Sequence, residues 1–228
     1  MKFLQLAIVA LILLASCSSN EPVKSIGEYE FPFSEGHRRL LYTYFRTPQE
    51  DTVYMQIEKV IQDDSVFITI STFTEEYRIL DRRFSLLGSN KQLVEETYYF
   101  PDEPGKYRLV KPNILKQRIL NPEAKYSGVE VKQEFYLDND KFIIEIRETF
   151  EKDTLMQWGS DRVHALKFTT EAQSRNFPRF LSFFDNISKF SGSSYYAKDV
   201  GLIMYYTNES GSDTTEQVKL INLESLNQ

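Results

Sequence analysis

Cysteine, histidine and glycine are all scarce in this chain, and each shortage excludes something. Of 228 residues one is a cysteine, Cys17, so no disulfide can form within the chain and no thiolate cluster can hold zinc. Two histidines, His37 and His164, stand far apart in sequence and read as strand or turn positions, not as a general base or a metal pair. Nine glycines and eight prolines leave no low-complexity stretch and no linker, so one domain is expected. Positive charge is never concentrated. Arg38-Arg39 and Arg82-Arg83 are mere pairs, read as solvated strand positions, and the net charge is −6. An acidic chain without a basic block is a poor partner for nucleic acid or for an anionic lipid surface.

Long hydrophobic runs are missing too. The apolar run at residues 6–15 is far shorter than the about 20 residues a membrane-spanning helix needs. Behind Met1-Lys2 it has the order of an export signal. Leu14-Ala15-Ser16-Cys17 resembles the lipobox of bacterial lipoproteins. The resemblance implies cleavage before Cys17, a diacylglycerol on its sulfur, and an acyl chain such as palmitate on the new amino group. Each buried methylene contributes about 0.8 kcal/mol, so two or three chains hold a protein firmly on a membrane. Residues 1–16 are then the signal peptide, 17–27 the lipidated tether and 28–228 a single β-rich domain. Ser18 is not the aspartate that retains enteric lipoproteins at the inner membrane. Residues 18–24 carry one acid, Glu21, and lack the acidic run resembling the surface-export signal of Bacteroidetes lipoproteins. By these likenesses the destination is the outer membrane, facing the periplasm.

What fills the remainder is alternation. Val53, Met55 and Ile57 alternate with polar neighbours, as do Val66, Ile68 and Ile70, with Asp63-Asp64 as a turn between them. Val129, Val131, Phe135 and Leu137 alternate likewise, and Asp138-Asn139-Asp140 turns the chain into Phe142, Ile144 and Ile146. Further strands are expected at 40–46, 77–86, 93–100, 163–169, 195–207 and 216–223. Two segments break the rhythm. Residues 114–120 read as a short helix. Residues 176–188 read as a better one, capped by Asn176, with Phe177, Phe180, Leu181 and Phe184 at i, i+3, i+4 and i+7. That apolar stripe reads as a cover for one face of the sheet, or more sharply as a lid over an apolar-ligand cavity.

No catalytic constellation is legible. Glu75-Glu76 and Glu95-Glu96 cannot form acid/base pairs within a strand, because neighbours point to opposite faces. Asp138-Asn139-Asp140 is not a calcium loop: the expected sixth-position glycine is Ile143 and the closing glutamate is Thr149. No enzyme, no metal and no cofactor is expected. Asp followed by Ser or Thr and then an apolar residue or threonine occurs at Thr52, Ser65, Thr154 and Thr214. The pattern resembles the O-glycosylation site of Bacteroidetes exported proteins; its plainer meaning is a hairpin turn.

Glu30-Phe31-Pro32-Phe33, Gly36 and then Leu41-Tyr42-x-Tyr44 resemble the opening of many Bacteroidetes lipoproteins of unknown function. The segment from Tyr195 through Gly201-Leu202 resembles their closing hairpin. In outline that family is similar to the half-barrel of the lipoprotein carrier and its outer-membrane receptor. The resemblance implies an all-β fold, mainly antiparallel: a strongly curved sheet or half-open barrel with one or two short helices. Gly201 within a strand marks a bulge or a close backbone approach. The expected function is non-enzymatic. A lipid or other apolar ligand would be held in the concave face, as 14 tyrosines and 17 phenylalanines invite, or an envelope protein would dock on the module. The membrane itself is a partner through the anchor.

Overall fold

The computed structural model describes residues 38–62, 65–74, 79–87, 93–101, 107–120, 126–137, 140–177, 186–198, 200–210 and 215–225. Regular structure in them is entirely strand: β1 (Arg38–Thr47), β2 (Asp51–Gln62), β3 (Ser65–Phe73), β4 (Ile79–Leu87), β5 (Leu93–Pro101), β6 (Tyr107–Val110) and β7 (Asn113–Leu120). Then come β8 (Gly128–Leu137), β9 (Asp140–Trp158), β10 (Asp161–Phe177), β11 (Asn186–Ala197), β12 (Gly201–Glu209) and β13 (Thr215–Ser225). They form one 13-stranded sheet in the order β6-β5-β4-β3-β2-β1-β13-β12-β11-β10-β9-β8-β7. Every neighbouring pair is antiparallel, as short turns and period-two patterning require.

The order has one consequence that governs the rest. Because β1 pairs with β13, with Leu40 opposite Ser225 and Thr47 opposite Gln217, the free edges fall in the middle of the chain. These edges are β6 and β7, separated by Lys111 and Pro112 alone. β6 pairs with β5 and β7 with β8, so the chain crosses from one arm of the sheet to the other at this point. No ladder joins β6 to β7, and the sheet stays open there instead of closing into a barrel.

The alternating apolar residues place one face inside. Tyr42 and Tyr44 on β1, Ile57 on β2 and Ile70 on β3 share a single buried core with Val131 on β8, Ile146 on β9 and Phe168 on β10. The two arms, β1–β6 and β7–β13, therefore curl until their inner faces meet. Burying each such side chain contributes about 1.5–3 kcal/mol. An aromatic chain runs through the second arm: Phe150 lies 4.9 Å from Tyr126 and 5.6 Å from Phe168, which meets Tyr196 edge-on at 5.7 Å.

Three local expectations are corrected. The helix over 114–120 is strand β7, whose residues pair with β8 from Asn113–Glu134 to Leu120–Gly128. The ladder satisfies its backbone, and Lys116 and Arg118 gain the carboxylate of Glu130. The helix over 176–188 is absent at both ends: Asn176 and Phe177 finish β10, and Asn186 starts β11. Asn176 faces Phe142 on one side and Asn186 on the other, which holds it extended and removes it as a cap. Residues 195–207 are not one strand but the end of β11 and the start of β12. The bulge expected near Gly201 is present: Gly201 has a φ of 91°, and pairing with β11 slips by one residue at Ile203.

Candidate functional site

Polar side chains on inner strand positions are the chemistry that the fold brings together. Arg83 and Ser85 on β4 face inward, and register sets Arg83 opposite Tyr98 and Ser85 opposite Glu96 on β5. Arg83, Ser85, Glu96 and Gln133 are each at most 1% exposed. The Glu96 carboxylate is the hub. It accepts from Tyr98 Oη at 2.8 Å, Gln133 Nε2 at 2.5 Å and Ser85 Oγ at 3.3 Å, and Arg83 Nη1 lies 3.5 Å away. Burial, and then the negative charge of Glu96, push the Tyr98 phenol well above its usual range, against the opposing pull of Arg83. Tyr98 is thus a fixed donor, not an acid. Gln133 belongs to β8 and Glu96 to β5, so this hydrogen bond crosses between the two arms beside the open edges.

Arg83 is a further correction to the sequence reading, which set it with Arg82 as solvated. Arg82 is exposed and donates to Ser71 Oγ at 3.0 Å, while Arg83 is wholly buried. The misleading feature is that Phe84 of β4 points outward, where it packs on Phe67 of β3 with ring centroids 6.0 Å apart. A usable signal existed in the polar i, i+2 pairs Arg83/Ser85 and Glu96/Tyr98 on successive strands.

In the middle of the sheet order, away from the open edges, the two motif segments of the sequence meet. Tyr42 Oη donates to the Val200 carbonyl at 3.0 Å, and Tyr44 Oη to the Leu202 carbonyl at 3.1 Å. The β12–β13 ladder runs from Met204–Lys219 to Asn208–Thr215, so these carbonyls lie beyond it, and the tyrosines supply donors there. Both phenols are raised above their usual range, chiefly by burial.

Among the described residues, side chains of both arms pack together on the inner face. The recess beside Gly192, lined by Thr170, Phe190, Ser194 and Thr207, offers about 10 Å³, near the room one water needs. The outer face of β8–β11 instead carries an open groove of about 500 Å³, lined by Arg147, Glu171, Gln173, Lys189 and Ser191 among others. Near it Glu130, buried on this face, takes Lys116 on one oxygen and Arg118 Nη2 on the other at 2.6 Å. Those contacts, the Lys116 hydrogen bond first, hold its carboxyl below the usual range against the opposing effect of burial.

The expected site residues are scattered. Thr52 on β2, Ser65 at the start of β3 and Thr154 on β9 are half-buried; Thr52 and Ser65 lie at opposite ends of one strand pair, and β9 belongs to the other arm. Phe177 is half-buried at the end of β10. Cys17, Phe180, Leu181, Phe184, Thr214, His37 and Glu75-Glu76 lie outside the described residues. His164 is exposed on β10, and Glu95 faces outward to Lys111 at 2.6 Å while Glu96 faces in. Ile143 and Thr149 continue β9, and Asp138-Asn139 lie outside the described residues.

No protein-family model and no curated protein matches this sequence. Two crystal structures are similar to it. A candidate lipoprotein from Parabacteroides distasonis matches 86% of this chain and 98% of its own, with a TM-score of 0.51 and 12% identity. A candidate exported protein with a YmcC-like fold from Bacteroides fragilis covers 86% and 99%, with a TM-score of 0.46 and 10% identity. The first likeness is one of fold.

Proposed function

We propose that the chain is a non-enzymatic, lipid-anchored envelope lipoprotein that works as an interaction module, docking a protein partner at the outer membrane. The observation that carries this reading is the inner face, where both arms bury their side chains in one shared core. A carrier of the kind the half-barrel resemblance implies needs open space on that face. The surface beside the open edges is better suited to contact, since Tyr107 and Leu109 on β6 and Leu115 on β7 are each about half exposed. Strand addition is not the docking mode these edges favour. Pro112, the bulge at Leu115 and Lys116 are devices that block it, so contact falls to side chains. The lipobox resemblance at Cys17 and the fold likeness to a candidate lipoprotein support the anchor and the envelope location.

Native mass spectrometry of residues 18–228, prepared without detergent, with lipid extraction of the denatured sample, tests the reading. A clean apo mass is the expected result. A stoichiometric lipid, lost when Phe180 and Phe184 are made polar in a still-folded protein, would return the carrier reading instead. Cys17→Ser in the full chain is expected to move the protein from the membrane to the soluble fraction.

A further inference from the structure

The groove on the outer face of β8–β11 is lined by side chains of both charge signs. Register places Glu130, Arg147, Glu171 and Ser191 in one cross-strand row, with Glu145, Gln173 and Lys189 in the next. Of the acids, Glu130 is already neutralised by Lys116 and Arg118, and Glu145 by Lys132 at 3.3 Å. That leaves Arg147 and Lys189 facing the groove against one uncommitted carboxylate, Glu171. Among the described residues neither cation has a side-chain partner. A local cationic surplus on a chain of net charge −6 is a specific complement to an anion.

We propose that this groove is a binding site for an acidic saccharide, a sugar bearing a carboxylate, phosphate or sulfate group. Arg147 offers a planar fork and Lys189 a point charge to the anionic group. Glu171 accepts from sugar hydroxyls, Ser191 both donates and accepts, and Gln173, whose carbonyl takes Arg175 Nε at 2.7 Å, keeps its amide N–H groups to donate. The groove's volume of about 500 Å³ lies within the range of small-molecule sites. Its outward-facing lining is polar: Ala172 and Phe190 contribute from strand positions whose side chains turn to the core. A surface without an apolar slot, dense in donors and acceptors, suits a hydroxyl-rich ligand better than the side chains of an acidic peptide. The inference concerns the folded sheet and holds independently of the docking role proposed above.

The test is titration of the full-length protein in nonionic detergent with trigalacturonate, maltotriose and hexaglutamate, followed by calorimetry and amide chemical shifts. Trigalacturonate is expected to bind in the millimolar range or tighter, with shifts centred on β9–β11, and to weaken as salt is raised. Maltotriose and hexaglutamate are expected to bind at least about tenfold more weakly. The double variant Arg147→Gln/Lys189→Gln is expected to lose about tenfold or more in affinity while its unfolding midpoint stays put. Four results would overturn the proposal: no binding of trigalacturonate, equal binding of maltotriose, binding untouched by the double variant, or hexaglutamate binding as tightly. The last would make the groove a site for an acidic peptide.

Discussion

The two places where the arms of this sheet meet are built on opposite principles. At β1–β13 a backbone ladder of eight paired positions joins the first and last described strands, and Tyr42 and Tyr44 add hydroxyl contacts to the Val200 and Leu202 carbonyls. At β6 and β7 the ladder stops, and side chains do the joining, through the Glu96–Gln133 hydrogen bond and its buried partners. A ladder spreads stability over many backbone bonds, each worth little net. A buried charge hub concentrates it on a few groups that cannot be left unpaired. The first kind of junction should be tolerant of substitution and the second brittle.

That contrast can be broken most sharply at Glu96. Replacing it with alanine leaves the Arg83 charge buried without its counter-ion and is expected to cost about 3–5 kcal/mol in urea unfolding. Removing both charges as Arg83→Leu/Glu96→Leu is expected to recover much of that loss, because neither desolvated ion remains. A silent Glu96→Ala would show that the hub does not hold the arms together. Gln133→Leu should cost less, about 1–3 kcal/mol, by stranding a lone pair of Glu96. A double-mutant cycle between Gln133 and Glu96 should show coupling of about 0.5–3 kcal/mol if the bond spans the arms in solution.

At the laddered junction, Tyr42→Phe and Tyr44→Phe are each expected to cost about 1 kcal/mol by leaving a carbonyl without its donor. The rings stack with centroids 5.9 Å apart, so the two losses should not simply add. A loss several times larger at either tyrosine would erase the proposed difference between the junctions.

The smallest expected effect is the acid limb at Glu130, which clamps edge strand β7 to β8. Its carboxyl is held below the usual range when folded, so the native state favours the ionised form. The stability it contributes is complete above the unfolded carboxylate pKa, about 4.3, and disappears as pH falls through the lower folded value. Glu130→Gln should therefore flatten the stability profile in that window and leave its alkaline side unchanged. An unaltered acid limb would mean that the clamp does not persist in solution.

Much of the strand content was legible because alternation is a local property. Val129 to Leu137 and Phe142 to Ile146 declare their buried faces by period two alone, and β8 and β9 follow. The pattern fails where inner positions are polar. On β4 the outward Phe84 and the inward Arg83 invert the usual assignment, and only the neighbouring Glu96 makes an inward arginine stable. It fails again at residues 114–120, where a helical periodicity yields to the unpaired edge of β8 and the carboxylate of Glu130.

By itself the sequence determined the class of object: a cysteine-poor, acidic chain built from a run of antiparallel strands. Composition and short-range periodicity suffice for that, since both are written in neighbouring residues. Tertiary structure alone decided that the sheet opens in mid-chain, that Tyr42 and Tyr44 reach β12 across 158 residues, and that Arg83 and Glu96 are interior. Those outcomes depend on which strands pair at long range, and a polar side chain's place is set by partners that lie far from it along the chain.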